Sequence, residues 1–229
     1  MRIAFIGDSL TEGIPGSSYV ALLRERLPGH TLVNLGQGND TVVSLYRRLV
    51  RLRFDAPFDI AFLWVGVNDV SGNMRWSFRL VNALLRKPPA RDVEEFRRYY
   101  RATLDLVCSH ARRVIAVSPL LKGEDIGNPW NRELEVLSSA VAELALRYAP
   151  VEYLDLRPAF VARLAGRSIS GYLPRSVLRV ALDALTLRSR EQIDAQAADR
   201  GLHVTLDGLH LNGAGAEIVA EMFLKAIQT

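Results

Sequence analysis

Short apolar segments alternate with amphipathic helical patterns along this chain, and that alternation constrains the fold more than any other feature. The apolar segments are residues 2–6, 31–35, 59–65, 113–117 and 151–156, most of them rich in Ile, Val, Leu or Phe. Helical patterns cover 18–27, 41–53, 91–110 and 131–148, and a last one covers 213–227. Strands that alternate with helices predict βαβ units and a parallel sheet covered on both faces. Two stretches break the rhythm. One is 71–90. The other is 158–204, which includes "LPRSVLRVALDALTLRSREQIDAQAADRG", a helical pattern closed by Gly201. No repeat, low-complexity run or linker divides the chain, so residues 1–229 read as one domain carrying two helical insertions.

Composition narrows the class. The chain is 49% hydrophobic and 24% charged, as soluble globular proteins are. No apolar run reaches the roughly 18 residues of a membrane span, so no stable membrane insertion is expected. The opening "MRIAFIGDSL" is too short and too interrupted for a signal peptide, which predicts a cytoplasmic protein. The single cysteine, Cys108, has no intramolecular partner and reads as a packed thiol in a helix. The net charge of +4 comes with arginines on helix faces such as "LYRRLVRLRF". With no nucleic-acid motif beside it, this charge reads as solvated helix surface, and no nucleic-acid partner is expected.

Parallel sheets bind ligands at the carboxyl ends of their strands. Here the first strand runs into "GDSLT", the second into "NLGQGNDT" and the third into "GVND", and "DGLHLNGAG" precedes the last helix. Ser9 is a weak nucleophile unless a base takes its proton, and histidine suits that task near neutral pH. Of the four histidines, His30 sits in a turn, His110 ends a helix and His203 closes the second insertion. Only His210 has an aspartate, Asp207, three residues before it in a turn. That spacing lets Asp207 reach the far imidazole nitrogen and hold the tautomer a base requires. Acyl transfer also needs donors for a developing oxyanion. Three are candidates: the Ser9 N–H, the Gly36 N–H and the Asn68 side-chain amide. Gly36 and Asn68 alone also read as ordinary turn residues.

Rival motifs are missing or incomplete. There is no G-x-S-x-G elbow and no Walker loop, and "GQGNDT" lacks the third glycine of a dinucleotide fingerprint. His203, Asp207 and His210 can be drawn as metal ligands, but His203 belongs to no motif, so no metal is expected.

The blocks "GDSLTEG" (7–13), "NLGQGNDT" (34–41), "GVND" (66–69) and "DGLHLNGAG" (207–215) stand in the order of the SGNH hydrolase superfamily, the GDSL esterases and lipases, and the chain resembles that family. The resemblance implies a flavodoxin-like three-layer α/β/α sandwich around a five-stranded parallel sheet. It implies Ser9 as nucleophile, His210 as base, Asp207 as its orienting partner, and Gly36 and Asn68 beside Ser9 in the oxyanion hole. Asp8 and Asp69 flank these residues and read as hydrogen-bonding supports for the loops. The expected activity is hydrolysis of a small-molecule carboxylic ester through an acyl-enzyme, with no cofactor. An acyltransferase or thioesterase could use the same residues. A non-catalytic flavodoxin-like module would instead cup phosphate or flavin in "GDSLTEG".

The 158–204 insertion departs from compact relatives. Val177, Val180, Ala181, Ala184, Leu185 and Leu187 recur in it at helical spacing. This stripe fits a scaffold helix, a cap over the acyl pocket, or the surface of a homo-oligomer. Trp76 and Phe78, just after "GVND", are expected to wall part of the pocket.

Overall fold

The computed structural model describes residues 1–74, 76–174 and 177–229, leaving aside the side chains of 76–79 and 177. Five strands form one sheet: β1 (Arg2–Gly7), β2 (Thr31–Gly36), β3 (Phe58–Trp64), β4 (Ala111–Val117) and β5 (Val151–Leu154). All neighbours are parallel, in the order β2-β1-β3-β4-β5. Eleven helices are described: α1 (Ser9–Glu12), α2 (Tyr19–Arg26), α3 (Val42–Leu49), α4 (Val67–Met74), α5 (Trp76–Leu84), α6 (Val93–Cys108), α7 (Pro129–Ala145), α8 (Arg157–Leu164), α9 (Val177–Thr186), α10 (Arg190–Asp199) and α11 (Gly213–Gln228).

Helices α3, α6 and α7 pack side by side on one face of the sheet, and α2, α8 and α11 on the other. The expected three-layer sandwich follows from this. Both faces of the central strands are covered, which is why these strands read as unbroken apolar runs. Between the sheet and the α2/α11 layer, Phe223 stacks on Phe62 with ring centroids 4.2 Å apart, and Phe5 and Tyr19 close around it. On the opposite side Phe96 and Tyr100 of α6 are fully buried.

Strand order changes direction at β1, whose neighbours β2 and β3 lie to either side. A crevice opens at the carboxyl ends of strands where the order reverses in this way. Gly7 and Gly36 occupy matching positions at the ends of β1 and β2. A Cβ on Gly7 would lie 2.3 Å from Thr11 Oγ1 and 2.5 Å from the Trp64 carbonyl; one on Gly36 would lie 2.2 Å from the Glu12 nitrogen. Both glycines are needed so that α1 can lie directly over the strand ends.

The second insertion holds three helices where the sequence pattern suggested one long one. Pro158 sits in the first turn of α8, where a missing N–H costs nothing. Ser189 caps α10 with a capping box to Gln192, and this cap separates α10 from α9. No helix among the described residues is long and apolar enough to cross a membrane. Many of the surface arginines are paired, as in Arg113 with Glu152, Arg97 with Glu143 and Arg91 with Glu95. Burial raises the thiol pKa of Cys108.

Candidate active site

Four loops at the carboxyl edge of the sheet build the site. The first turns from β1 into α1. Asp8 caps α1, accepting the Leu10 N–H at 3.0 Å, and so puts Ser9 in the first helical turn with its N–H at the positive end. The last loop comes from the far end of the chain. Residues 205 and 211 pair across a narrow antiparallel bridge, closed by Leu206 N–H donating to the His210 carbonyl at 2.7 Å. Inside it, Asp207 Oδ1 accepts the N–H groups of Leu209 and His210, an Asx-type turn that accounts for the Asp-x-x-His spacing.

The structure brings Ser9, His210 and Asp207 into one hydrogen-bonded line. Ser9 Oγ lies 3.0 Å from His210 Nε2, and His210 Nδ1 lies 2.8 Å from Asp207 Oδ2. All three are buried, with only Ser9 and His210 reaching solvent slightly. Burial by itself would raise the Asp207 pKa, but His210 and the two backbone N–H groups outweigh it and hold the carboxyl below its ordinary value. Burial likewise works against charge on His210, yet Asp207, with help from Asp8, keeps the imidazole pKa above its ordinary value.

Asn68, at the start of α4, lines the same cavity as Ser9 and His210. Its amide donates to the Asp40 carbonyl at 3.0 Å and makes a longer contact of 3.4 Å with Asp8 Oδ2. Asp8 is fully buried, and desolvation lifts its pKa to about 7. Asp69 shares that fate for the same reason, also at about 7, while its two oxygens accept the Val42 and Ala90 N–H groups. Asp8 and Asp69 each accept backbone N–H groups of the loops beside Ser9 and Asn68.

Gly36 is placed differently from its expected role. Its N–H is donated to Asn34 Oδ1 at 2.9 Å, and the space beside it is filled by α1. What reaches the cavity from this loop is Gly38 and Asn39. Asn39 adopts a left-handed backbone with φ of 59°, a conformation that asparagine tolerates better than most residues. Asp40 anchors the turn: it pairs with Arg48 at 2.8 Å and Lys87 at 3.0 Å and accepts from Ser44. "GND" therefore matters more than the first glycine of the block, a point visible only once the turn is folded.

Two further residues escaped the sequence reading. Glu124 is buried and accepts the N–H groups of His203, Val204 and Thr205 along with the Thr205 hydroxyl, bracing the segment that leads to Asp207. Lys122 lines the cavity, 5% exposed, with its ammonium 4.5 Å over the Trp130 ring and bonded to Ser71. Each is far from "DGLH" in sequence, and neither belongs to a recognisable motif. His203 turns away from the triad, its Nε2 2.8 Å from the Ser168 carbonyl, so the three-ligand drawing is not realised. Among the described residues no group of His, Cys, Asp and Glu is arranged to hold a metal.

The cavity at Ser9 measures about 250 Å³. Ser9, Asn68 and His210 mark its polar end, and Ile14, Pro15, Trp130 and Leu209 give it apolar walls. Further wall comes from Val180, Ala181 and Ala184 of α9, within the second insertion. No described residue from 71–90 lines it; the side chains of Trp76 and Phe78 lie outside the described residues.

Comparison with known proteins agrees with this picture. The chain aligns over 99% of its length with an alpha/beta hydrolase enzyme from the metagenome of Lake Arreo, Spain, covering 94% of that chain at 21% identity and a TM-score of 0.68. An acetyl xylan esterase aligns over 99% of this chain and 100% of its own, at 22% identity and a TM-score of 0.66. An acetylxylan esterase from Geobacillus stearothermophilus aligns over 100% of this chain and 94% of its own, at 21% identity and a TM-score of 0.68. Catalytic mutants of that esterase replace a serine, an aspartate and a histidine with alanine. These likenesses establish the shared fold. No curated protein sequence matches the chain. The model of the GDSL-like Lipase/Acylhydrolase family matches residues 5–218. The chain therefore belongs to the GDSL-like lipase/acylhydrolase family and is a carboxylic ester hydrolase.

Proposed function

We propose that this hydrolase works through a covalent acyl-enzyme on Ser9. One observation carries the reading: the unbroken line from Ser9 Oγ through the His210 ring to Asp207, with both contacts at hydrogen-bond length. His210 Nε2 takes the Ser9 proton as Oγ attacks the ester carbonyl carbon. The C–O bond to the alcohol then breaks, and His210 returns the proton to the departing alkoxide. A water molecule, deprotonated by His210, attacks the acyl-enzyme and releases the acid and free Ser9. Asp207 keeps Nδ1 protonated and stabilises the imidazolium in both halves.

We assign the oxyanion to three donors. The Ser9 N–H stands at the start of α1. One Asn68 amide hydrogen is committed to the Asp40 carbonyl; the other makes only the long contact to Asp8 and is free to turn to the oxyanion. The Gly38–Asn39 turn supplies the third in place of Gly36, whose N–H is taken. Donors fixed before the reaction stabilise the charge without reorganising. The phosphate-cradle reading of "GDSLTEG" leaves the His210–Asp207 pair without a task.

Ser9→Ala tests the assignment. It is expected to lower kcat/KM for p-nitrophenyl butyrate by a factor of about 10³ or more, with KM little changed. Full turnover by Ser9→Ala would refute it. Asn68→Ala is expected to cost about 10²-fold or more in kcat, as loss of one oxyanion donor does.

A further inference from the structure

We infer that α9 is the acyl-chain wall of this enzyme, and that Ala181 and Ala184 set the length of aliphatic chain it accepts. The inference rests on the esterase reading above and names the substrate class of that same site. It starts from where the polar groups are. The reacting atoms of Ser9 and His210 share the cavity with Leu173, Pro174, Val180, Ala181 and Ala184, which give it apolar side chains from α9 and the segment before it. Val180 and Ala184 are half-buried and Ala181 is exposed, although all three face the cavity. Apolar surface kept open beside a nucleophile gains stability when an apolar group covers it. Among the described residues, the side chains that α9 and Leu173–Pro174 bring to the cavity offer a sugar ring no hydrogen-bonding group, so a polar substrate would lose water against them without replacement.

The wall is fixed relative to the nucleophile's partner residues. Arg200, buried at the end of α10, bonds Asp183 of α9 at 2.9 Å and the Leu206 carbonyl, next to Asp207, at 3.0 Å. Its guanidinium also lies 5.0 Å over the Tyr172 ring, immediately before Leu173. One cation thus ties α9, its lead-in and the catalytic loop together, so the distance from wall to Ser9 is a property of the fold. A cavity of about 250 Å³ falls below the usual drug-sized pocket of roughly 300–1,000 Å³. It encloses one short to medium aliphatic acyl group, and the rest of a longer chain would project beyond it into solvent.

The test is the kcat/KM profile of p-nitrophenyl esters from acetate to palmitate, for wild type, Ala184→Phe, Ala181→Phe and Val180→Ala. In the wild type kcat/KM is expected to climb about fourfold per methylene from acetate towards hexanoate, the gain from burying each CH₂, and to fall by palmitate. Either Phe variant is expected to cut the hexanoate-to-acetate ratio about tenfold, because a filled pocket rejects added methylenes. Val180→Ala is expected to move the optimum to a longer chain. The ratio compares two substrates on one enzyme, so it does not depend on how much of a variant folds; where a Phe variant yields no active enzyme, the Val180→Ala profile decides. A wild type that prefers acetate, or ratios that stay within about twofold in the variants, would overturn the inference while leaving the esterase intact. A wild type that hydrolyses no ester and takes no fluorophosphonate would bring down the esterase reading, and this inference with it.

Discussion

At the scale of single residues, the site depends on how burial and partners set protonation. His210 can take the Ser9 proton only while Nε2 is unprotonated. Its pKa is held above the ordinary 6.5 by Asp207 and Asp8 against the cost of burial. Activity is therefore expected to fall as pH drops, with the acid-limb half-point above 6.5 in a kcat/KM profile. Asp207→Asn removes the largest charge raising that pKa. It is expected to move the half-point down and to lower kcat about 10⁴-fold, since the imidazole loses its fixed tautomer. An unchanged half-point would contradict this account of His210. Gly7 makes a separate test of packing. Its missing Cβ leaves room for Thr11 and the Trp64 carbonyl, so Gly7→Ala is expected to cost about 1–3 kcal/mol in urea unfolding. That Ser9, Asp207 and His210 belong together could be read from the sequence because residue type and the Asp-x-x-His spacing carry that signal, and the structure places them in hydrogen-bond contact. The duties of Gly36 and Asn39 could not. Which N–H in "NLGQGND" stays free depends on Asn34 folding back onto Gly36 and on a left-handed turn at Asn39.

At the scale of elements, Asp207 and His210 sit on a loop with little regular structure of its own. Glu124, from the end of the β4 loop, holds that loop through three backbone N–H groups and a hydroxyl. Gly123 N–H, its neighbour, donates to the Gly208 carbonyl from the same segment. Glu124→Ala leaves those donors buried and unpaired. The expected result is a loss of about 2–3 kcal/mol in chemical denaturation, together with a fall in kcat because Asp207 is less well placed. A variant with wild-type stability would show that the loop holds itself. The five strands and the main helices were legible because buried strands and amphipathic helices carry opposite periodicities. The division of the second insertion was not. The apolar stripe runs on through Leu187, but α9 stops at Thr186, and the Ser189 cap, a local hydrogen-bond choice, starts α10.

At the scale of the whole molecule, the sheet sets where chemistry can occur, and the buried acids set how stability responds to pH. Asp8 and Asp69 have folded pKa values near 7 against an ordinary 3.8, both from desolvation. A raised carboxyl pKa favours folding below the ordinary value, and that contribution is lost as pH rises through about 7. His210, raised as well, acts in the same direction at the alkaline end, and Asp207, lowered, acts only in stronger acid. Stability to urea is therefore expected to decline between about pH 4 and pH 8, by on the order of a few kcal/mol, and Asp8→Asn to remove about half of that slope. A flat profile in the wild type would contradict the burial argument. The layered fold was legible at this scale from the alternation alone, whereas the placement of α9 beside the cavity depends on the tertiary contacts of Arg200 with Asp183 and Leu206. The central claim is that Ser9 becomes covalently acylated. Its most direct measurement is peptide mass mapping after reaction with a fluorophosphonate: a single adduct on Ser9, absent in His210→Ala, is the predicted result, and an adduct on any other residue, or none in active enzyme, would contradict it.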